Sequence, residues 1–216
     1  MERGLPVNSK QKFAMEKNLF KKVIDVVPYG ISADECLAHR RNESEQSFVI
    51  DLRPKDNYDQ ERLMGAYSLP ANYLQDYVAQ MPNHSKIILY ADDEETVIES
   101  LKLLVENDFE DIHYVIGGFS KIQEALKASD QEVFLTDFPP EQWEGQINQV
   151  LADKVLPVLE ADGGGLSVDK VEKDKIFIQF QGACNGCPSS TSGELNFIKN
   201  TLGVALNHTV DVEVLG

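Results

Sequence analysis

Cys184 and Cys187 stand three residues apart in the stretch GACNGCPSS (182–190), directly after the alternating run IFIQF. A thiolate is a nucleophile, a redox partner and a soft metal ligand, so this pair is the chain's foremost candidate for chemistry. Taken alone, two thiols at this spacing suit a thiol–disulfide couple, half of a zinc site, half of an iron–sulfur site, or no chemistry at all. A strand pattern runs into the loop, and Pro188 suits the first turn of a following helix. A helix N-terminus lowers a thiol's pKa and favours the thiolate that ligates metal. Gly182 and Gly186 remove side-chain bulk, which lets backbone amides approach sulfur. The third cysteine, Cys36, falls in a helical pattern ahead of a strand and reads as a small buried hydrophobe.

Other chemistry-bearing residues are less organised. His39, His84 and His113 show no ligand spacing, and His208, beside the terminal strand, is a further candidate ligand only for a zinc site. The DGGG run at 162–165 lacks the Lys and Ser/Thr of a phosphate-binding loop and reads as a helix stop. No Ser–His–Asp arrangement and no paired-carboxylate signature stands out.

The elements that must position the cysteines come from 216 residues with 42% hydrophobic content, enough for one large domain or two small ones, and the change of character near residue 140 favours two. Residues 28–130 alternate strand-like runs with helices. ISADECLAHRR (31–41) is a helix with Ser32 as N-cap and Glu35 three residues on. SFVIDL (47–52), KIILYA (86–91) and IHYVIGG (112–118) are buried strands. ETVIESLKLLVEND (95–108) sets Val97, Leu101, Leu104 and Val105 on one face, and a last helix follows Phe119. This order implies an α/β fold, a parallel sheet with flanking helices, whose ligands bind beyond the C-terminal strand ends. The loop after KIILY, with Ala91 and then Asp92, Asp93, Glu94 and Glu95, is the site such a sheet would use.

Residues 131–145, with Pro139-Pro140 and no sustained period, read as a linker on which Trp143 is an apolar anchor. Residues 146–216 then form a small α+β domain. A helix runs through Ile147, Val150, Leu151, Val155 and Leu159, interrupted at Pro157 and stopped at Gly163-Gly164. A hairpin of LSVDKV and KIFIQF leads to the cysteine loop, a helix with Leu195, Ile198 and Leu202 on one face, and a closing TVDVEVL strand.

Charge narrows the partners. The net charge is −16, from 36 acidic and 20 basic residues, a balance that repels nucleic-acid phosphates and excludes nucleic acid as the default ligand. No apolar run reaches the roughly 18–20 residues of a membrane span, and no secretory signal pattern opens the chain. Free thiols fit a reducing compartment, so the expected location is cytoplasmic. Residues 1–27 form a basic arm: over 1–24, Arg3, Lys10, Lys12, Lys17, Lys21 and Lys22 face only Glu2 and Glu16, a net of +4. It reads as a solvated arm with Phe13, Leu19 and Phe20 packing locally; its acids fit an organellar presequence poorly.

Two resemblances emerge from these motifs. Asp51-x-Arg53, Tyr58, Gly65-Ala66 before Leu69-Pro70, and Gly117-Gly118-Phe119 resemble, in order and spacing, a rhodanese-homology domain. That family carries a nucleophilic cysteine at the end of the central strand. Ala91 occupies that position here, and the resemblance implies a catalytically degenerate domain without sulfurtransferase activity, kept as a docking surface. Four carboxylates after Ala91 also oppose an anionic donor, because one like-charge contact near 4 Å costs about 1–4 kcal/mol against the roughly 0.3–1 kcal/mol a helix N-terminus offers an anion.

Ala161-Asp162-Gly163-Gly164, the G-A-C-x-x-C-P-S-S stretch and the terminal V-x-V strand closely resemble the NifU C-terminal-domain (NFU) family of iron–sulfur scaffolds and carriers. The resemblance implies that Cys184 and Cys187 hold metal as two ligands of a [4Fe–4S] cluster bridging a homodimer, with [2Fe–2S] as the alternative cluster. It also implies transfer to apo iron–sulfur proteins and contact with upstream assembly proteins, without nucleic acid or membrane. Gly193, Glu194 and Phe197 depart from the family's usual residues. The competing readings use the same pair: a thiol–disulfide oxidoreductase, against which Asn185-Gly186 lies between the cysteines, or a zinc-binding protein.

Overall fold

The computed structural model describes residues 27–42, 47–183 and 190–215. In the first domain β1 (Gly30–Ile31) leads into α1 (Ala33–Arg41), whose N-terminus closes a capping box: the Glu35 amide donates to Ser32 Oγ at 3.2 Å, and the Ser32 amide donates to the Glu35 carboxylate at 2.8 Å. There follow β2 (Ser47–Asp51), α2 (Lys55–Gln60), β3 (Tyr67–Ser68), α3 (Ala71–Tyr77), β4 (Lys86–Tyr90), α4 (Glu94–Glu106), β5 (Ile112–Val115) and α5 (Gly118–Ala128). The five strands are all parallel, in the order β1-β5-β4-β2-β3.

The strand period of two explains why both sheet faces are apolar. Ile50, Ile87 and Leu89 point to a core shared with α3 and α4, while Val49, Ile88 and Tyr90 point to one shared with α1 and α5. Helices therefore cover both faces, as the alternating pattern predicts. The two-residue edge strands β1 and β3, and the short helices α2 and α3, were not legible because none is long enough to show a period. Val105 is a correction. It is exposed rather than sharing the buried face of Val97, Leu101 and Leu104, because at 100° per residue it is rotated well off their common direction.

The second domain begins earlier in space than its helical pattern does. Leu135, within the segment read as a linker, is fully buried in the second core, and Trp143 packs on that core while its indole N–H donates to the Phe138 carbonyl at 2.9 Å. α6 (Trp143–Val150) continues through a wide π-helical turn (Leu151–Val155) into α7 (Leu156–Ala161). Pro157 accounts for the wide turn, since it has no N–H to give and its ring crowds the carbonyl four residues back. β6 (Gly164–Glu172) pairs antiparallel with β7 (Lys175–Gly182) across a two-residue turn, and β8 (Asp211–Val214) joins β7 in parallel after α8 (Ser190–Leu206). Inward-facing Ile176, Ile178 and Phe180 of β7 meet Ile198, Leu202 and Leu206 of α8 in one core. Among the described residues, no helix is long and apolar enough to cross a membrane.

The domains meet around Glu132, whose side chain is only 1% exposed. Its carboxylate accepts from Arg40 and Arg41 at the C-terminal end of α1, and from Asn207 Nδ2 at 2.7 Å. Arg40 also donates to Asn207 Oδ1 at 3.0 Å and to the Met64 carbonyl at 3.3 Å. Asn207 terminates α8 in the left-handed region (φ 43°), a conformation asparagine tolerates better than most residues. Beside this hub Gly65 (φ 87°) lets the first domain approach α8: a Cβ there would stand 2.6 Å from Val204 Cγ2.

Burial would raise the Glu132 pKa, but the Asn207 amide and the two guanidinium groups hold it below the ordinary carboxylate value. The stabilisation is full above the unfolded value of about 4.3 and is lost as pH falls through the lower folded value. Glu132→Ala leaves buried Arg40 without its counter-charge, and we expect a loss of about 3–5 kcal/mol in urea unfolding at neutral pH. Glu132→Gln should cost less and should flatten the acid limb of the stability–pH curve; an unchanged acid limb would count against this role.

Candidate functional site

Cys184, Cys187, Gly186 and Pro188 lie outside the described residues; the structure describes the frame on either side of them. β7 delivers the chain at Gly182, and α8 receives it at Ser190. Gly182 adopts φ 62°, and a Cβ on it would lie 2.5 Å from the carbonyl oxygen of Gly163. The Ala183 amide donates to that same oxygen at 3.0 Å. Gly163 (φ 75°) follows the end of α7, so the helix stop and the entry to the cysteine loop are one joint. Gly182 is therefore fixed by its dihedral and by close backbone approach, a role beyond the access to sulfur that sequence reasoning assigned it.

The other candidate ligands do not gather here. His208 packs on Trp143 with ring centroids 5.4 Å apart, and its Nε2 is 3.8 Å from the Asp174 carboxylate. The length of α8, roughly 24 Å at 1.5 Å rise per residue, separates it from the end where the cysteine loop joins. His113 lies 2.8 Å from Asp111 at the start of β5. Cys36 is fully buried, and that burial pushes its thiol up to about 12 despite Arg40 nearby, so it is neither nucleophile nor ligand at neutral pH. Among the described residues no group of three or more His, Cys, Asp or Glu side chains is placed to hold a metal ion.

At the C-terminal strand ends of the first domain, Asp51 and Arg53 form a buried pair, with Arg53 Nη2 at 2.7 Å and Nε at 2.9 Å from the carboxylate. The Tyr90 hydroxyl donates to Asp51 at 2.7 Å, and the guanidinium lies over the Phe119 ring at 3.7 Å. Burial followed by the Asp51 charge pushes the Tyr90 phenol well above its usual value, so it stays a donor. Tyr90 was missed in sequence, although the alternation along β4 points it to the same face as Ile88. Next to this network Ala91 follows β4 directly, its carbonyl accepting from the Phe119 amide at 3.3 Å. A Cβ on Gly118 (φ 61°) would sit 1.9 Å from that oxygen, which explains the glycine pair in the turn.

The acidic loop is already occupied with its own contacts. Asp93 caps α4, accepting from the Thr96 amide at 2.8 Å, and this bond holds its pKa below the usual value. Asp92 accepts from Asn57 Nδ2 at 3.2 Å and lies 4.0 Å from Arg53.

These two constellations, a doubly covered parallel sheet and a small mixed-sheet domain holding a paired-cysteine loop, correspond to two known domain families. Residues 32–125 match the rhodanese-like domain, and residues 147–213 match the NifU-like domain. Over those residues the chain resembles a rhodanese-like domain followed by a NifU-like domain.

Its C-terminal region is 39% identical over 69 residues to the nitrogen fixation protein NifU of Anabaena sp. (strain L31), covering 32% of this chain and 62% of that protein. It is 33% identical over 98 residues to NifU-like protein 2, chloroplastic, of Arabidopsis thaliana, covering 44% of this chain and 38% of that one. A third relative, from Drosophila grimshawi, is named NFU1 iron-sulfur cluster scaffold homolog, mitochondrial; it is 26% identical over 100 residues, covering 46% of this chain and 33% of that one. The chain thus spans less than two thirds of the length of each.

The joint of Gly163 and Gly182 yields a comparison of two glycines. Gly163→Ala meets no atom within 4 Å and incurs only the left-handed strain, about 1–2 kcal/mol. Gly182→Ala adds a collision with backbone, so its loss in thermal unfolding should be the larger. It should also change the rate at which Cys184 and Cys187 react with a thiol reagent. Equal losses for the two variants would argue against the joint.

Proposed function

We propose that the protein is an iron–sulfur cluster scaffold and carrier whose cargo is a [4Fe–4S] cluster, bound by Cys184 and Cys187. The observation that carries this reading is the match of residues 147–213 to the NifU-like domain with both cysteines inside it. Four thiolates ligate such a cluster as a rule, and one chain offers two, so a second copy supplies the rest and the cluster bridges a homodimer. A cargo held at a seam between copies is released by moving one domain, which suits donation to apo iron–sulfur proteins. The chemistry requires a reducing compartment, the cytoplasm on this reading.

The rhodanese-like domain serves as a folded docking surface rather than as an enzyme. Ala91 offers no sulfur to form a persulfide. The cap of Asp93 on the Thr96 amide also removes one of the donors that an anionic sulfur donor would need.

Anaerobic reconstitution with iron and sulfide should give a dimer with about four irons and four sulfides per pair, read by Mössbauer spectroscopy and native mass measurement. Cys184→Ala and Cys187→Ala should each abolish it, and Cys36→Ala should retain it. Full cluster content in the Cys187→Ala protein would overturn the assignment. With a chelator present, the loaded protein should restore an apo [4Fe–4S] enzyme faster than free iron and sulfide do; equal rates would sink the carrier role.

Thiosulfate:cyanide sulfurtransferase turnover should be absent from the unmodified protein. It should stay low in Ala91→Cys, because Asp92 to Glu95 oppose both donor and thiolate. Robust turnover in the unmodified chain would refute the docking-domain reading.

A further inference from the structure

Across the sheet from the domain interface lies a groove of about 550 Å³ that neither domain fills. Phe48, Leu69, Pro70 and Met81 form its floor, and Tyr67, Tyr73 and Tyr77 stand at its rim, 55%, 52% and 50% exposed. Three half-exposed tyrosines around one apolar trough, beside the edge strand β3, form the kind of patch that marks a docking site. The helical layer next to it is acidic: α3 and α4 carry five Asp or Glu against one Lys, a net of −4. An occupant should therefore be basic and should bring aromatic or branched side chains.

The chain contains one such segment. Residues 1–24 carry the net of +4 described above together with Phe13, Leu19 and Phe20. We propose that this N-terminal arm docks in cis into the Tyr67–Tyr73–Tyr77 groove of its own rhodanese-like domain. The root of the arm is suitably placed. Tyr29, two residues after the arm joins the described chain at Val27, packs on the same core layer that supplies Phe48, Leu69 and Met81 to the groove.

Reach decides whether cis docking is feasible. β1 and β3 are the two edges of the sheet, four strand spacings or roughly 19 Å apart. Phe13 lies fourteen residues before Val27, which is roughly 46–50 Å of extended chain or roughly 21 Å of helix. Either conformation crosses the sheet. Docked there, the arm covers the exposed tyrosines and sets its lysines against the acidic layer. The proposal is independent of the cluster assignment.

The test replaces Phe13 in the full chain with the photoreactive p-benzoylphenylalanine and maps the crosslinks by mass spectrometry. The expected products lie within residues 67–82, are intramolecular at every protein concentration, and fall several-fold in yield between 0.05 and 1 M salt as the Debye length shrinks to about 3 Å. Tyr73→Ser with Tyr77→Ser, both half-exposed positions, should reduce them similarly while the unfolding midpoint stays unchanged. Crosslinks confined to other regions, crosslinks only between chains, no crosslink at all, or a yield indifferent to salt would each overturn the proposal.

Discussion

A single carboxylate, that of Glu132, governs how the two domains stand to one another. Removing an ion from water costs several kcal/mol unless its partners are well placed. Here those partners come from two separated parts of the chain, α1 and the residue that ends α8. Sliding the domains past one another would leave Glu132 or Arg40 buried without its match, so the electrostatics and the packing of Gly65 against Val204 select the same arrangement.

That arrangement treats the two ends of α8 differently. Its C-terminal end is held by the first domain through Asn207 and Val204, while its N-terminal end receives the chain from the cysteine loop. Phe197, partly buried along the helix, lines the clefts on both sides of the contact. Its ring packs against the second domain's own core. Gly193, nearer the start of the helix, meets nothing within 4 Å.

The sequence disclosed what depends on periodic or local signals. The central strands, α1 with its Ser32–Glu35 cap, the interruption at Pro157 and the stop at Gly163 were all legible, because each is written within a few neighbouring residues. The edge strands β1 and β3 were not, being two residues long. Nor was the burial of Leu135, since a single apolar residue between prolines and acids carries no period. The Glu132 hub left no local trace either: Arg40 is 92 positions from it and Asn207 is 75. At the candidate site, residue types named the cysteines, but only the three-dimensional pairing of β6 and β7 reveals that Gly163 and Gly182 share one joint.

Those separations also order events during synthesis. At about 5–20 residues per second, Arg40 leaves the ribosome roughly 5–20 s before Glu132 and longer still before Asn207. The strands and helices through α5 can collapse in that interval, but the cationic end of α1 then waits, hydrated, for its counter-ion. The interface closes only after α8 has emerged and turned at Asn207. A truncation between α5 and Glu132 releases a chain whose first domain has all its strands and helices but lacks the counter-ion, leaving the flank of α1 open to whatever acidic surface arrives first.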